Sequence, residues 1–128
     1  MDNTPIANLN PELPELASKH IRAVVSLVWP YSSLTRQFAL LLAEPDFRLR
    51  RKKGQVRVRF CGPSAKAIAE SGVGIGDEVV LELRGAQFVQ EEADTIQTPG
   101  RSIDWELSFS RTLVAQVCAH RNHLFNLY

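Results

Sequence analysis

In HIRAVVSLVW, Ile21, Ala23, Val25, Leu27 and Trp29 alternate with Arg22, Val24, Ser26 and Val28. Period two with β-branched content predicts a strand whose first set of side chains turns inward. PYSS (30–33) reads as a turn. RQFALLLAE (36–44) reads as a second strand, apolar along much of its length and stopped by Pro45. In QVRVRF, Val56, Val58 and Phe60 alternate with Gln55, Arg57 and Arg59, a third strand with one apolar face.

The period then changes. GPSAKAIAESG (62–72) places Pro63 at a first helical position and Gly72 where a C-terminal cap belongs, which predicts a short helix. GIGDEVVLELRG predicts a glycine turn and a fourth strand, with Val79, Leu81 and Leu83 on one face and a bulge or coil at Gly85. QEEADTIQTPGR (90–101) is a polar loop. SIDWELSFS resumes alternation, with Ile103, Trp105, Leu107 and Phe109 inward, and this fifth strand is free to continue through Val117. Pro5, Pro11 and Pro14 punctuate a start with little periodicity, so residues 1–18 read as a mobile or loosely docked arm. The expected division is therefore arm 1–18, domain 19–118 and tail 119–128.

A parallel α/β fold needs repeated helical crossovers, and this order offers one. Sandwiches usually use more strands and no helix. Five strands with a single short helix between the third and fourth is the order of the OB-fold, an all-β, partly open Greek-key barrel.

Composition narrows the class without naming a function. At 128 residues, 45% hydrophobic and 23% charged, the chain suits one soluble globular domain. The net charge of +1 says nothing of a polyanionic partner, but its distribution does. Residues 47–60, FRLRRKKGQVRVRF, hold seven of the fifteen Lys and Arg and no acid, whereas residues 70–106 hold nine acids against Arg84 and Arg101. Unless these segments pair, the surface is bipolar. Cys61 and Cys118 form no CxxC pattern, so a disulfide framework is not expected and a reducing compartment fits. The acidic N-terminus lacks a signal-peptide pattern, and AVVSLVW and FALLLA are too short to cross a bilayer. The expectation is an intracellular protein with no membrane partner.

The stretches IRAVVSLVWPYSSLTRQFALLLAEPDFRLRRKKGQVRVRF, GVGIGDEVVLELRGAQFV and TPGRSIDWELSFS resemble the OB domain of fungal proteins in the telomeric single-stranded-DNA-binding, protection-of-telomeres family. The resemblance runs from Ile21 to Val114 and is strongest over Trp29–Phe60. It implies a nuclear, chromosomal location at telomere ends, with single-stranded telomeric DNA or other telomere-complex proteins as partners.

In OB-folds, oligonucleotides cross the outer face of strands two and three, beside the loop joining strands one and two. With Val56, Val58 and Phe60 inward, Arg57 and Arg59 point out on that face. Arg50, Arg51, Lys52 and Lys53 lie in the connection beside it. Single strands need cations for phosphates and aromatic planes for bases. The cations are plentiful, but Tyr31 is the one clearly available plane; Phe38 would join it only in the opposite register. RLRRKKG is equally readable as a solvated turn or a nuclear-import tag. Arg57 and Arg59 could instead pair with Glu82 or other acids nearby, and the acidic 90–101 loop would repel phosphate. DNA and protein partners therefore both remain open.

Other chemistry is thin. Trp29 and Trp105 sit on apolar alternating faces and read as core. GIGD leads into a strand without the helix or Lys-Ser/Thr of a phosphate loop. Cys118, His120 and His123 supply three soft or borderline ligands without a convincing fourth, so no metal or other cofactor is expected. No nucleophile–base or paired-carboxylate arrangement stands out, and an enzyme is not expected.

Overall fold

The computed structural model describes residues 2–50, 53–90, 103, 105–110, 115–118 and 124–127. Its strands are β1 (Asp2–Asn3), β2 (Lys19–Ser32), β3 (Gln37–Ala43), β4 (Gln55–Cys61), β5 (Glu78–Glu82), β6 (Gln87–Gln90), β7 (Trp105–Phe109), β8 (Ala115–Cys118) and β9 (Leu124–Leu127). Two helices accompany them, α1 (Phe47–Arg50) and α2 (Pro63–Glu70). The protein is mostly β. All nine strands described join one mixed sheet, in the order β6–β7–β4–β3–β2–β5–β8–β9, with β1 beside β2.

The β2–β3, β3–β4 and β2–β5 pairs are antiparallel, and β4 runs parallel to β7. Ile21, Val25, Leu40, Leu42, Val56, Val58, Leu81 and Leu107 are buried on the inner face. Three phenylalanines fill one part of it: the Phe38–Phe60 centroids are 6.5 Å apart and Phe60 stacks on Phe109 at 5.8 Å. Helix α2 begins at Pro63, whose missing N–H costs nothing there, and lays Ala65 and Ile68 against this core. Gly72, at φ +75°, follows its end.

Strand β2 departs from the simple alternation. Val25 pairs with Leu42, but Leu27 pairs with Leu41, so Ser26 is an extra residue, a β-bulge. Before it, Ile21, Ala23 and Val25 are buried as expected. Beyond it the faces exchange: Leu27 is exposed, Val28 packs against the core, and Trp29 leaves it. The expectation of Leu27 and Trp29 as inward residues is corrected on this ground. The strand also runs through Pro30, Tyr31 and Ser32, three of the four residues expected as a turn. A second irregularity between Trp29 and Ser32 accommodates Pro30, and the turn falls on residues 33–36.

The first residues are docked, in contrast to the expected arm. β1 pairs in parallel with Lys19–His20, and the Thr4 N–H donates to the His20 carbonyl at 2.8 Å. Ile6 and Leu9 are buried in the core. The N–H of Ile6 donates to Oε1 of Glu44 at 2.6 Å, which explains an otherwise anomalous buried carboxylate at the end of β3. Proline spacing conceals this, because a short parallel pair and two apolar anchors carry no period.

More strands form than the five expected. Gly85, at φ +80°, lies in the turn between β5 and β6, and β6 pairs with β7; β9, within the expected tail, pairs with β8. The expected 90–101 loop falls almost wholly outside the described residues. Among the described residues, no helix is long and apolar enough to cross a membrane.

Candidate nucleic-acid interface

The outer face of the β2–β3–β4–β7 layer gathers the chemistry. Trp29 pairs with Ala39, Ala39 with Arg59, and Arg59 with Ser108, so these four residues form one row across four strands. The next row runs through Leu27, Leu41 and Arg57. Ala39 is the small member of its row. Over it opens a cleft of about 280 Å³, also bounded by Trp29, Pro30, Thr35, Gln37 and Arg59. An aromatic wall, a guanidinium wall and a methyl floor result.

One carboxylate orients both arginines. Nε of Arg57 donates to Oε1 of Glu106 at 3.1 Å, and Nε of Arg59 donates to the same oxygen at 2.9 Å. Glu106 is buried, one position before Leu107, which pairs with Val58, so it rises on the same face as the arginines. A buried carboxylate between two guanidiniums is stable only while all three remain charged and hydrogen-bonded. Arg59 also donates from Nη1 to Oε1 of Gln37 at 2.8 Å. Arg57 lies over the Trp29 ring, its guanidinium carbon 5.8 Å from the centroid, within cation–π range. The Arg57 side chain is only 13% exposed, whereas that of Arg59 is 35% exposed. Arg57 is therefore a packed strut, and Arg59 the cation a ligand can reach.

The basic and acidic halves of the sequence thus pair in part. Glu106 meets Arg57 and Arg59, while Glu78 meets Arg22, outside the basic window; the acid opposite the third-strand arginines is Glu106 rather than Glu82. Of the 50–53 cluster, Arg50 and Lys53 lie at the far end of the β3–β4 pair, beyond Ala43 and Gln55. There, Nε of Arg50 donates to the Glu44 carbonyl. Lys53 is exposed in a turn at φ +54°, ahead of Gly54, where a Cβ would overlap the Leu49 carbonyl. Arg51 and Lys52 lie outside the described residues. Asp46 accepts from the N–H of Arg48 at 2.9 Å, and this bond, then the Arg48 guanidinium, holds its carboxyl below the usual value.

Tyr31 does not join this cleft. It is partly buried and lines a separate groove with Arg36, Gly62, Pro63 and Lys66. Phe38 is buried in the core, in the register that keeps its ring from the outer face. The plane that sequence alternation misses is Trp29, displaced outward by the bulge at Ser26. Trp105 remains partly buried, its ring edge-on to Phe88 at 6.3 Å. Cys118 lies in β8, while His120 and His123 are outside the described residues.

The chain belongs to the DUF8502 family, described as a domain of unknown function, which matches residues 1–125. No curated protein and no solved structure matches it.

Proposed function

We propose that this protein is an OB-fold module that binds single-stranded DNA across the outer face of β3 and β4, as a nuclear, telomere-associated binding protein rather than an enzyme. The observation carrying the reading is the facing pair of Trp29 and Arg59 over the Ala39 floor. A base stacked on the indole brings its phosphate toward an oriented guanidinium, the two contacts a single strand requires. The telomeric preference rests on the sequence resemblance.

The barrel reading draws on the pairing pattern. β2, β3, β4, α2 and β5 follow the order of the first four OB strands and their helix, and β7 lies parallel to β4. The described sheet is open. Its segments β7 and β8 pair with β4 and β5, and only residues 110–114 separate them in sequence. One strand spanning both would supply the fifth strand and bring β4 and β5 around a barrel.

A second reading, an OB module that binds other proteins of a telomere or nuclear complex, draws on Glu106. Its charge offsets one of the two arginines, leaving a face less cationic than the sequence suggests.

Fluorescence anisotropy with a telomeric-repeat strand and a scrambled strand, each at two salt concentrations, separates the readings. DNA binding requires saturable association that weakens with salt and with Trp29→Ala. No association at low salt leaves the protein-binding reading.

A further inference from the structure

The hairpin joining β2 and β3 divides two clefts that share no residue. Trp29, Pro30, Ser32, Thr35 and Gln37 line the first, and Tyr31 and Arg36 line the second, a groove of about 400 Å³ completed by Gly62, Pro63 and Lys66. Among the described residues, the second groove presents one aromatic ring and two cations, and no acid lines it.

Arg36 is an unexpected residue for its position. Its backbone sits at φ +56°, in the left-handed region that glycine enters at no steric cost. Two backbone hydrogen bonds hold it there: its N–H donates to the Ser32 carbonyl at 2.7 Å, and its carbonyl accepts from Gly62 at 2.9 Å. The side chain is exposed and has no ion pair among the described residues. Lys66, with a side chain 70% exposed, meets among the described residues only Glu70 at 4.0 Å, one helical turn away. Such an exposed pair holds a lysine weakly. Both cations are thus available to an external anion, without the buried carboxylate that Arg57 and Arg59 share. A strained backbone that carries a long cation where glycine is sterically free points to a role for that cation.

Resting on the single-strand reading above, we infer that the Tyr31–Arg36–Lys66 groove is a second nucleotide subsite. It takes a further phosphorylated unit of the same strand after the strand crosses the β2–β3 hairpin. Tyr31 offers the ring for a base or sugar, and Arg36 and Lys66 hold phosphate oxygens.

The test compares telomeric-repeat strands of about four and about sixteen nucleotides, the two ends of the range one OB fold occupies. The parent, the double variant Arg36→Gly/Lys66→Ala and Trp29→Ala are titrated with both lengths. The double variant should bind the long strand about tenfold more weakly, its salt slope reduced by about 1.4 at about 0.7 per phosphate contact. Its affinity for the short strand should match the parent's. Arg36→Gly alone should melt no lower than the parent, because it relieves the left-handed strain. Equal long-strand binding by parent and double variant overturns the second subsite and leaves the Trp29 cleft intact. Equal loss for both lengths also overturns it, since the charges would then act without a site. A parent that binds neither length overturns the subsite together with the single-strand reading.

Discussion

Arg57 and Trp29 meet across the outer face although β3 lies between their strands, the guanidinium carbon 5.8 Å from the indole centroid. The contact exists because the bulge at Ser26 turns Trp29 outward and Glu106 holds Arg57 from the other side. The cleft is thereby built from one irregularity in β2 and one carboxylate in β7.

Removing that carboxylate should loosen the cleft and increase its charge together. Glu106→Gln keeps the side-chain volume and one acceptor oxygen but removes the negative charge that two guanidiniums share. Stability should fall by about 2 kcal/mol, about 8 °C in melting temperature for a domain of this size. If DNA binds here, the salt dependence should steepen, because one more cation faces the strand. Thermal melts and a salt series on the same variant measure both effects.

The Ala39 floor gives a variant that separates binding from folding. Ala39 faces outward between Trp29 and Arg59, so Ala39→Leu fills the cleft while leaving the inner face unchanged. Single-strand affinity should fall about tenfold or more, the equivalent of losing one stacked base at about 1–3 kcal/mol. The melting temperature should move by only a few degrees. An unchanged affinity would place the ligand elsewhere.

The N-terminus should be necessary for full stability. Ile6 is completely buried and its N–H is satisfied by Glu44. Ile6→Ala should cost about 2–5 kcal/mol as a buried large-to-small change. Glu44→Ala should cost about 1–3 kcal/mol through the orphaned N–H. Deletion of residues 1–10 should lower the melting temperature at least as far as Ile6→Ala; an unaltered melt would show that the segment is dispensable.

Alternation made the inner face legible from the sequence. Val56, Val58 and Phe60 are buried where period two puts them, and α2 starts at the proline and precedes the glycine that mark its ends. The same alternation puts Arg57 and Arg59 on the outer face, where they line the cleft. Trp29 escapes that alternation because a bulge adds one residue and reverses the side chains after it, and no residue type at Ser26 announces it. Glu106 could be read as outward from its alternation with Leu107. Its burial depends on two long side chains arriving from β4, a relationship across strands that a single strand's pattern does not contain. Docking of Ile6 and Leu9 was hidden likewise, since isolated apolar anchors between prolines resemble a linker.

The most direct measurement of the central claim uses Trp29 as its own reporter. Trp105→Phe is a conservative change at a partly buried ring and leaves Trp29 as the sole tryptophan. A low-salt titration of this variant with single-stranded telomeric-repeat DNA should quench the remaining emission, with the same midpoint as anisotropy of the labelled strand. Association that leaves Trp29 emission unchanged, or no association at low salt, would contradict binding in the Trp29–Arg59 cleft.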